Sequence, residues 1–371
     1  MRTSHVREFI AAPNWAPQKN TLWKRLVGRA LFTIADWVPA SKCWIKDLGL
    51  RATKEWFCKW VAKVQTPDGK TFKLASIGEN YLSFQLFWLG AGYYEPITAT
   101  LLGELLRPCD TFVDIGANIG FFSLLLSRKL AGLKVIAFEP NPKNFELLSR
   151  NAAVNNFANI VCEPLALSDR EGSAVLYLTD SDMSASLRPD FAFKVSEEVT
   201  VKAVTLDSYF GKKAPQGLLL KADAEGTEYQ IFKGGQNTLR SCQPDIVTEV
   251  AVSPDPGLPA LLRDCGYRAY RITDEGLTET STLRPTVRGR YLFLNHLLSV
   301  KDRDAIRDLS VRVQRKLRGL DLSKTSKAVD DKQIERALRG SEMSGEIGNS
   351  DHPNCRSEDS KRVRCCAASG P

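Results

Sequence analysis

Histidine is scarce in this 371-residue chain, and no two cysteines form a C-x-x-C pair. The three histidines stand far apart, at positions 5, 296 and 352. A metal centre with two or three histidine ligands is therefore nearly excluded, and histidine-based catalysis would depend on His296 alone. Because no acidic partner for His296 is visible, we expect a loop or rim residue there rather than a base. The nine scattered cysteines lack zinc-ribbon spacing and are typical of a reducing compartment.

Long apolar runs are also missing near the amino terminus. Lys24, Arg25, Arg29 and Asp36 interrupt residues 23–38, so this stretch does not resemble the apolar core of a signal peptide. We expect a cytoplasmic protein. Hydrophobic residues make up 43% of the chain and charged residues 25%, which excludes collagen-like, wholly disordered and multi-span membrane proteins.

The net charge of +8 is unevenly distributed. Lys and Arg outnumber Asp and Glu by 13 to 5 in residues 1–70 and by 16 to 12 in residues 301–371. In residues 71–300, acidic residues exceed basic ones by 26 to 22. A protein that binds nucleic acid should carry its positive field on the domain that holds the substrate. The acidic middle therefore argues against a nucleic-acid partner.

Composition divides the chain into four segments. Residues 1–63 are basic and amphipathic, with apolar residues at helical spacing over 22–34 and tryptophans among lysines over 44–64. They predict a helical extension that caps the central domain, with peripheral contact to an anionic membrane as the alternative. Residues 64–300 form the predicted central domain, and residues 301–339 a charged helical segment. Residues 340–371 have almost no large apolar side chains, so we expect a disordered tail.

Apolar strands alternate with amphipathic helices over residues 111–300, which is the pattern of an α/β fold with a Rossmann-like, doubly wound parallel sheet. We predict strands at 111–115, 134–139, 160–164, 217–223 and 245–250, and two closing strands at 267–272 and 290–294. Helices are predicted at 96–106 and 121–130. A hairpin is predicted within 173–209, and a shorter one with a Pro-Asp-Gly turn over 64–74.

The most specific motif is F-V-D-I-G-A-N-I-G at 112–120, a buried strand followed by a glycine-rich turn. Gly116 and Gly120 allow the backbone to approach a ligand, and Asn118 tolerates the left-handed region. Glu139 follows Gly120 by 19 positions, at the end of the next strand, where a carboxylate can accept hydrogen bonds from ribose hydroxyls. Together these features predict an adenosine-type ligand and leave a dinucleotide and S-adenosylmethionine both open. Asp114 and the G-x-x-x-G spacing favour S-adenosylmethionine, because a dinucleotide fingerprint would have glycine at position 118.

Seven ordered motifs over residues 92–294 resemble one known family. They are Y-E-P at 94–96, V-D-I-G-A-N-I-G at 113–120, F-E-P-N-P at 138–142, A-L-S-D at 166–169, T-L-D-S-Y at 205–209, K-A-D-A-E-G at 221–226 and P-D-I at 244–246. In these motifs the chain resembles the FkbM-type S-adenosylmethionine-dependent methyltransferases. The resemblance covers roughly 200 residues, by the spacing of the motifs. It departs from the family pattern at Ala224, where Val is common, and at Cys109, where Gly is common.

The resemblance implies a class I methyltransferase fold and S-adenosylmethionine as cofactor. The cofactor-binding residues implied are Glu95, Asp114, Gly116, Ala117, Asn118, Gly120, Glu139, Asn141, Ala166 and Leu167. Within this set, Asp114 and the glycine-rich turn would hold the methionine end, Glu139 the ribose, and Ala166 with Leu167 the adenine. Glu95 would approach the cofactor, although a carboxylate beside Pro96 at a helix start is also favourable by dipole alone.

The charged segment at 221–226 supplies the catalytic candidates. An acceptor hydroxyl needs a proton acceptor, and Asp223 or Glu225 could serve if burial raises its pKa. Glu249, at the end of the fifth strand, is another candidate, and Lys221 would orient a carboxylate. Alternatively, Asp223 binds the cofactor amine and Glu225 is a helix amino-terminal carboxylate. A divalent cation held by Asp223, Glu225 and Glu249 is a further alternative that the lack of a dense carboxylate loop disfavours.

The predicted function is O-methylation of a small-molecule or glycan acceptor, a hydroxyl on a sugar or secondary metabolite. One alternative is an NAD(P)-dependent oxidoreductase on the same sheet, which would need a proton donor that we cannot place. Another is a non-catalytic, membrane-associated adaptor anchored by its basic aromatic flanks. The acceptor itself cannot be identified, because its specificity depends on the shape of the pocket.

Overall fold

The computed structural model describes residues 9–10, 61–75, 79–107, 110–179, 185–189, 195–211, 214–250, 254–288 and 291–318. The predicted tail at 340–371 lies outside these residues, as does nearly all of the predicted amino-terminal extension. Within the described ranges, no helix is both long enough and apolar enough to cross a bilayer.

The strands, in chain order, are β1 Phe9–Ile10, β2 Val61–Gln65, β3 Thr71–Leu74, β4 Thr111–Ile115, β5 Lys134–Phe138, β6 Ile160–Glu163, β7 Ala166–Leu167, β8 Gly172–Thr179, β9 Ala185–Ser186, β10 Val195–Val204, β11 Leu218–Ala222, β12 Asp245–Glu249, β13 Arg268–Thr273, β14 Gly276–Thr280, β15 Thr286–Arg288, β16 Tyr291–Phe293 and β17 Asn295–Ser299. The α-helices are α1 Tyr81–Leu89, α2 Pro96–Leu105, α3 Phe121–Lys129, α4 Pro142–Val154, α5 Leu206–Phe210, α6 Glu228–Lys233, α7 Gln236–Cys242, α8 Leu258–Asp264 and α9 Arg303–Leu317.

An eight-stranded sheet in the order β14-β13-β17-β12-β11-β4-β5-β6 forms the centre of the domain. Strands β6, β5, β4, β11 and β12 pair in parallel, and β17, β13 and β14 extend the sheet with antiparallel pairs. The α/β, Rossmann-like fold class is confirmed. All five residues of β4 are buried, as expected for a parallel strand covered on both faces.

Helices cover both faces of this sheet, and each face has its own hydrophobic core. On one face, α2, α3, α4 and α9 contribute buried side chains, among them Leu101, Phe121 and Ile306. On the other face, α5, α6, α7 and α8 contribute Ile231, Leu239 and Leu262, among others. Helix α9 falls within the predicted charged segment, and Asp302 caps it by accepting a hydrogen bond from the Ala305 N–H. The sheet is therefore doubly wound, as its sequence pattern predicts.

The last strand of the sheet was predicted in the wrong place. Residues 291–293 pair with 286–288 in a separate two-stranded hairpin, and the sheet is completed by β17, between β12 and β13. The predicted start of the first hairpin was also wrong, because β2 begins at Val61 rather than at residue 64 and pairs with both β1 and β3.

The predicted insertion within 173–209 pairs with β7, which precedes it, to form a separate small sheet in the order β7-β10-β8-β9. Strands β8 and β10 form the antiparallel hairpin, with a register shift between Val195 and Glu197. The short strand β9 pairs with β8. This hairpin sheet places Leu176, Ala185 and Leu187 against the pocket described below.

Candidate functional site

A pocket opens at the carboxyl ends of β4, β5, β11 and β12, where ligands of open α/β sheets bind. Eleven of the fourteen predicted site residues line it, and the exceptions are Glu95, Gly120 and Asn141. Its described lining includes five carboxylate side chains and a single lysine, Lys221. The site therefore combines a glycine-rich turn with a strongly acidic surface.

The turn after β4 is held by close backbone packing. Gly116 has φ +75°, and a Cβ atom there would lie 1.9 Å from the carbonyl oxygen of Asp223. Asp114 is 1% exposed, and its Oδ2 accepts hydrogen bonds from the Ser123 N–H at 3.1 Å and the Ser123 hydroxyl at 2.7 Å. Its Oδ1 is buried and has no hydrogen-bond partner among the described residues. A buried, unsatisfied carboxylate oxygen in a pocket is suited to accept a hydrogen bond from a ligand.

Glu139 is buried at the end of β5, and both of its oxygens face backbone amides. Oε2 accepts from the Asn118 N–H at 2.6 Å, and Oε1 accepts from the Asn141 N–H at 2.8 Å. Burial raises the pKa of Glu139 from 4.5 to about 7, although these two hydrogen bonds oppose the increase. The predicted ribose carboxylate thus lines the pocket and is fixed directly to the glycine-rich turn.

Three carboxylates meet where β11 and β12 end. One oxygen from each of Glu95, Asp223 and Glu249 lies within 4.8 Å of the others. The sequence predicted Glu225 in this cluster in place of Glu95, and the structure corrects that assignment. Glu95 reaches the cluster from the start of α2, where Asn295 of β17 donates a hydrogen bond to its Oε2 at 3.1 Å. Oxygen ligands of this kind suit a hard divalent cation.

Lys221 places a positive charge inside this acidic cluster. Its side chain is 4% exposed, and its Nζ lies 2.9 Å from Asp223 Oδ2 and 4.8 Å from the centre of the Phe122 ring. Burial by itself lowers the pKa of Lys221, but Asp223, Glu95 and Asp114 outweigh it and raise the pKa above its ordinary value. Lys221 is therefore a permanent cation, and the prediction that it orients a carboxylate agrees with its contact to Asp223.

Tyr94 is an aromatic residue of the pocket for which the sequence indicated no role. It packs edge to face on Phe121, with ring centres 5.2 Å apart. Burial, followed by the charges of Glu95, Asp223 and Glu249, raises its pKa well above the ordinary value. The hydroxyl therefore stays protonated, and a hydrogen bond joins it to Glu95.

Left-handed backbone is concentrated at this pocket and at the carboxylate cluster beside it. Glu95, Asn118 and Glu225 have φ values of 41°, 51° and 51°, and they are three of five such non-glycine residues in the described chain. Such conformations are strained for residues with a side chain and persist only where the surrounding structure holds them. Strain of this kind clusters at functional sites.

Two of the predicted cofactor residues, Asn141 and Gly120, do not line the pocket and have visible structural roles. Asn141 caps α4, with its side-chain oxygen accepting a hydrogen bond from the Lys143 N–H at 3.0 Å. Gly120 precedes α3 with φ +86°, and a Cβ atom there would lie 2.5 Å from Leu148 Cδ1. Their side-chain positions face helices rather than the pocket, so both residues support the turn on the side away from the pocket.

The carboxylate at the start of α6 is Glu228, not Glu225. Glu228 is buried, and its Oε1 accepts hydrogen bonds from the Ala224 and Gly226 N–H groups at 3.1 and 3.3 Å. Burial raises its pKa to about 7, although these hydrogen bonds oppose the increase. Glu225 precedes the helix and lines the pocket. The alternative interpretation of Glu225 as a helix-start carboxylate is therefore wrong.

His296 is a buried strand residue, and its predicted loop or rim position is wrong. It lies in β17 between Thr248 and Arg271 and is 1% exposed. Burial lowers its pKa from 6.5 to about 4. Nδ1 contacts the Leu294 carbonyl oxygen at 3.1 Å, and Nε2 has no partner among the described residues. The imidazole is therefore neutral near neutral pH, and neither of its nitrogens contacts a carboxylate among the described residues.

The apolar wall of the pocket comes partly from Ala166 and Leu167 of β7 and partly from Leu176, Ala185 and Leu187. Ser186 links the hairpin sheet to the charged segment at 221–226, because its hydroxyl donates to the Glu225 carbonyl oxygen at 2.7 Å. Arg188 adds a hydrogen bond from its guanidinium to the Gly226 carbonyl oxygen at 3.3 Å. The inserted hairpin is thus part of the site.

Comparison with known proteins gives consistent matches. Residues 114–269 match the family described as Methyltransferase FkbM domain. The chain is 32% identical over 197 residues to Methyltransferase sdnD of Sordaria araneosa, covering 44% of this chain and 76% of that protein. It is 26% identical over 203 residues to 31-O-demethyl-FK506 methyltransferase FkbM of Streptomyces tacrolimicus, covering 47% and 75%. It is 30% identical over 159 residues to Hexuronic acid methyltransferase AglP of Haloferax volcanii, covering 42% and 62%.

Proposed function

Because the chain belongs to the FkbM methyltransferase family, we propose that it transfers a methyl group from S-adenosylmethionine to a hydroxyl group of a small-molecule or glycan acceptor. The observation that carries this proposal is the acidic cluster beside the glycine-rich turn. Family membership favours this function over an NAD(P)-dependent oxidoreductase or a non-catalytic adaptor.

The residues of the pocket fit S-adenosylmethionine chemically. The unpartnered Oδ1 of Asp114 provides an acceptor for the cofactor's methionine end. Glu139 lines the pocket and would accept hydrogen bonds from the ribose hydroxyls, and Ala166 with Leu167 would provide apolar surface for the adenine. The five carboxylates of the lining suit a ligand with a sulfonium and an ammonium group, since opposite charges attract strongly at a partly buried site.

When bound, S-adenosylmethionine supplies a methyl group whose carbon–sulfur bond breaks as the acceptor oxygen attacks, with sulfur retaining the bonding electrons. Asp223 accepts the proton of the acceptor hydroxyl. Lys221 holds the Asp223 carboxylate in place through its contact at 2.9 Å. Glu249 and Glu95 accept further hydrogen bonds and orient the hydroxyl, and Glu225 lies at the edge of the acceptor side. Positioning of this kind contributes much of the rate in methyl transfer.

A hydroxyl acceptor is supported by the chemistry of the relatives and of the site. One relative is named for a 31-O-demethyl compound and another for a hexuronic acid. Carboxylates that accept protons suit hydroxyl groups, and the apolar hairpin sheet beside them suits the body of an organic acceptor. We therefore place the acceptor between the carboxylate cluster and Leu176, Ala185 and Leu187.

Titration calorimetry with S-adenosylhomocysteine, followed by kinetics of two variants, tests the proposal. The wild-type protein should bind S-adenosylhomocysteine, and absence of binding by folded protein would refute the cofactor assignment. Asp223→Asn should lower kcat by about 100-fold or more, because general bases contribute that much. Glu249→Gln, a matched carboxylate-to-amide change in the same cluster, should lower kcat less. Equal effects of the two variants would contradict Asp223 as the proton acceptor.

We further propose a cytoplasmic protein, with the basic amino-terminal region either capping the domain or contacting an anionic membrane. Sedimentation of the full chain with phosphatidylserine vesicles and with phosphatidylcholine vesicles separates these cases. Membrane contact predicts pelleting with phosphatidylserine alone, and this pelleting should weaken as salt is added. Recovery of the protein in the supernatant with both vesicles would leave only the capping role.

A further inference from the structure

Asn80 caps helix α1 and is fully buried, at 0% exposure. Its side-chain Oδ1 accepts hydrogen bonds from the Leu82 N–H at 2.8 Å and the Ser83 N–H at 3.3 Å. Because both partners are backbone donors, the oxygen of the amide must face them. The orientation of the Asn80 amide is therefore fixed by its role as a helix cap.

The same orientation aims the Asn80 amide nitrogen at the glycine-rich turn. Nδ2 donates to Asn118 Oδ1 at 3.3 Å and to Asn144 Oδ1 at 3.2 Å, and both acceptor residues line the pocket. A side-chain amide has two donors and two acceptor sites, and Asn80 uses all four. A fully buried and fully satisfied amide is costly to disturb, because each group left unpaired loses its hydrogen bond without gaining water.

Asn118 connects Asn80 to Glu139, the predicted ribose carboxylate. Its backbone is left-handed at φ 51°, and its Oδ1 also accepts from the Ile119 N–H at 2.8 Å. Its own N–H donates to Glu139 Oε2 at 2.6 Å. A continuous series of hydrogen bonds therefore runs from the start of α1 through Asn80 and Asn118 to Glu139.

We propose that Asn80 is a positioning residue, which holds the left-handed Asn118 turn in the conformation that binds the cofactor. The inference rests on the proposed function for the identity of that ligand. Asn80 touches neither the carboxylate cluster nor the predicted acceptor side, so its effect should fall on cofactor binding. It lies outside the matched range of 114–269, and α1 thereby becomes part of the cofactor site.

The variant Asn80→Ser separates positioning from capping. Serine is as good a helix cap as asparagine, but it lacks the two amide donors. Affinity for S-adenosylhomocysteine should fall about tenfold, as expected for the loss of one to two buried hydrogen bonds. The KM for S-adenosylmethionine should rise by a similar factor, with kcat little changed. The matched control is Asp302→Ser, which changes the cap of α9 and should leave binding unchanged.

Two further measurements should give the same result for the wild-type and Asn80→Ser proteins if Asn80 were only a helix cap. The Asn118 N–H lowers the pKa of Glu139, so loosening the turn should shift the acid limb of S-adenosylhomocysteine binding to higher pH. Hydrogen exchange at the amides of residues 117–120 should also become faster in the ligand-free Asn80→Ser protein. Asn80→Thr, which keeps a neutral cap oxygen but lacks both amide donors, serves if the serine variant fails to fold.

The outcomes are distinguishable. Weaker binding together with faster exchange in the turn supports the inference. Wild-type affinity, pH profile and exchange in a folded Asn80 variant overturn it, while the proposed function stands. If the wild-type protein does not bind S-adenosylhomocysteine, the proposed function fails. In that case, hydrogen exchange at the amides of residues 117–120 still tests whether Asn80 holds the turn.

Discussion

Replacing Glu139 by glutamine removes a buried ionisable group whose protonation should control the stability of the ligand-free protein. Burial raises the pKa of this carboxyl from 4.5 to about 7. The folded protein therefore binds the proton more tightly than the unfolded chain does. The resulting stabilisation is fully present below about pH 4.5 and is lost as the pH rises through about 7.

The size of the effect follows from the two pKa values. A difference of one pH unit corresponds to about 1.4 kcal/mol, so the full contribution of Glu139 is about 3 kcal/mol. About 2 kcal/mol of this falls between about pH 5 and about pH 7.5. Glu228, with its pKa also raised to about 7, acts with the same sign, whereas the lowered pKa of His296 acts with the opposite sign. The readout is therefore the difference between wild type and variant.

Urea unfolding of the ligand-free protein at the two pH values measures this difference. Glu139→Gln should lose less unfolding free energy than wild type between about pH 5 and about pH 7.5, by about 2 kcal/mol. At about pH 5 its stability should be lower than that of wild type, because an amide nitrogen cannot accept from a backbone N–H. Glu146→Gln, on the exposed side of α4, is the control and should behave as wild type. Identical pH dependence in wild type and Glu139→Gln would refute the reasoning.

Three other perturbations give sharp expectations. Gly116→Ala places a Cβ atom 1.9 Å from the Asp223 carbonyl oxygen. Calorimetry should therefore show that the affinity for S-adenosylhomocysteine falls by more than tenfold. Unchanged affinity would contradict the tight packing of the turn. Lys221 supplies a positive charge within the carboxylate cluster, so the wild-type protein should keep its methyltransferase activity in the presence of EDTA. Loss of activity with EDTA that Mg²⁺ restores would show that a cation is required. The imidazole of His296 should remain neutral from about pH 8 down to about pH 5 in an NMR titration, since burial lowers its pKa to about 4, and protonation near its ordinary pKa would disprove that burial.

The parallel half of the sheet was predictable because local sequence determines it. Strands β4, β11 and β12 are short apolar runs bounded by turn residues, and their observed limits differ from prediction by at most one residue at each end. The glycine-rich turn and Glu139 were found for the same reason, since they follow such strands directly.

Strand β17 was missed because it begins with two polar residues. Asn295 and His296 interrupt a run of apolar residues, and a polar pair in that position indicates a loop. In the structure, Asn295 reaches Glu95 and His296 lies between two strands. Neither contact has a local signal, because each depends on the order of strands in the sheet.

The membership of the carboxylate cluster was only partly predictable. Asp223 and Glu249 follow adjacent parallel strands and were expected together. Glu225 was predicted in the cluster where the structure has Glu95, because the chain path before β4 and the start of α6 depend on tertiary packing. Glu228, which holds the amides of Ala224 and Gly226, shows that spacing along the sequence does not determine where a helix begins.

The position of β17 has a consequence for synthesis of the protein. This strand lies between β12 and β13, although both precede it in the chain. A nascent polypeptide that ended at residue 269, the last position of the family match, would expose an open edge on β12 and would lack Asn295 beside Glu95. The sheet can close only once residue 299 has emerged from the ribosome, so until then the growing chain presents unpaired strand edges to chaperones and to other nascent chains.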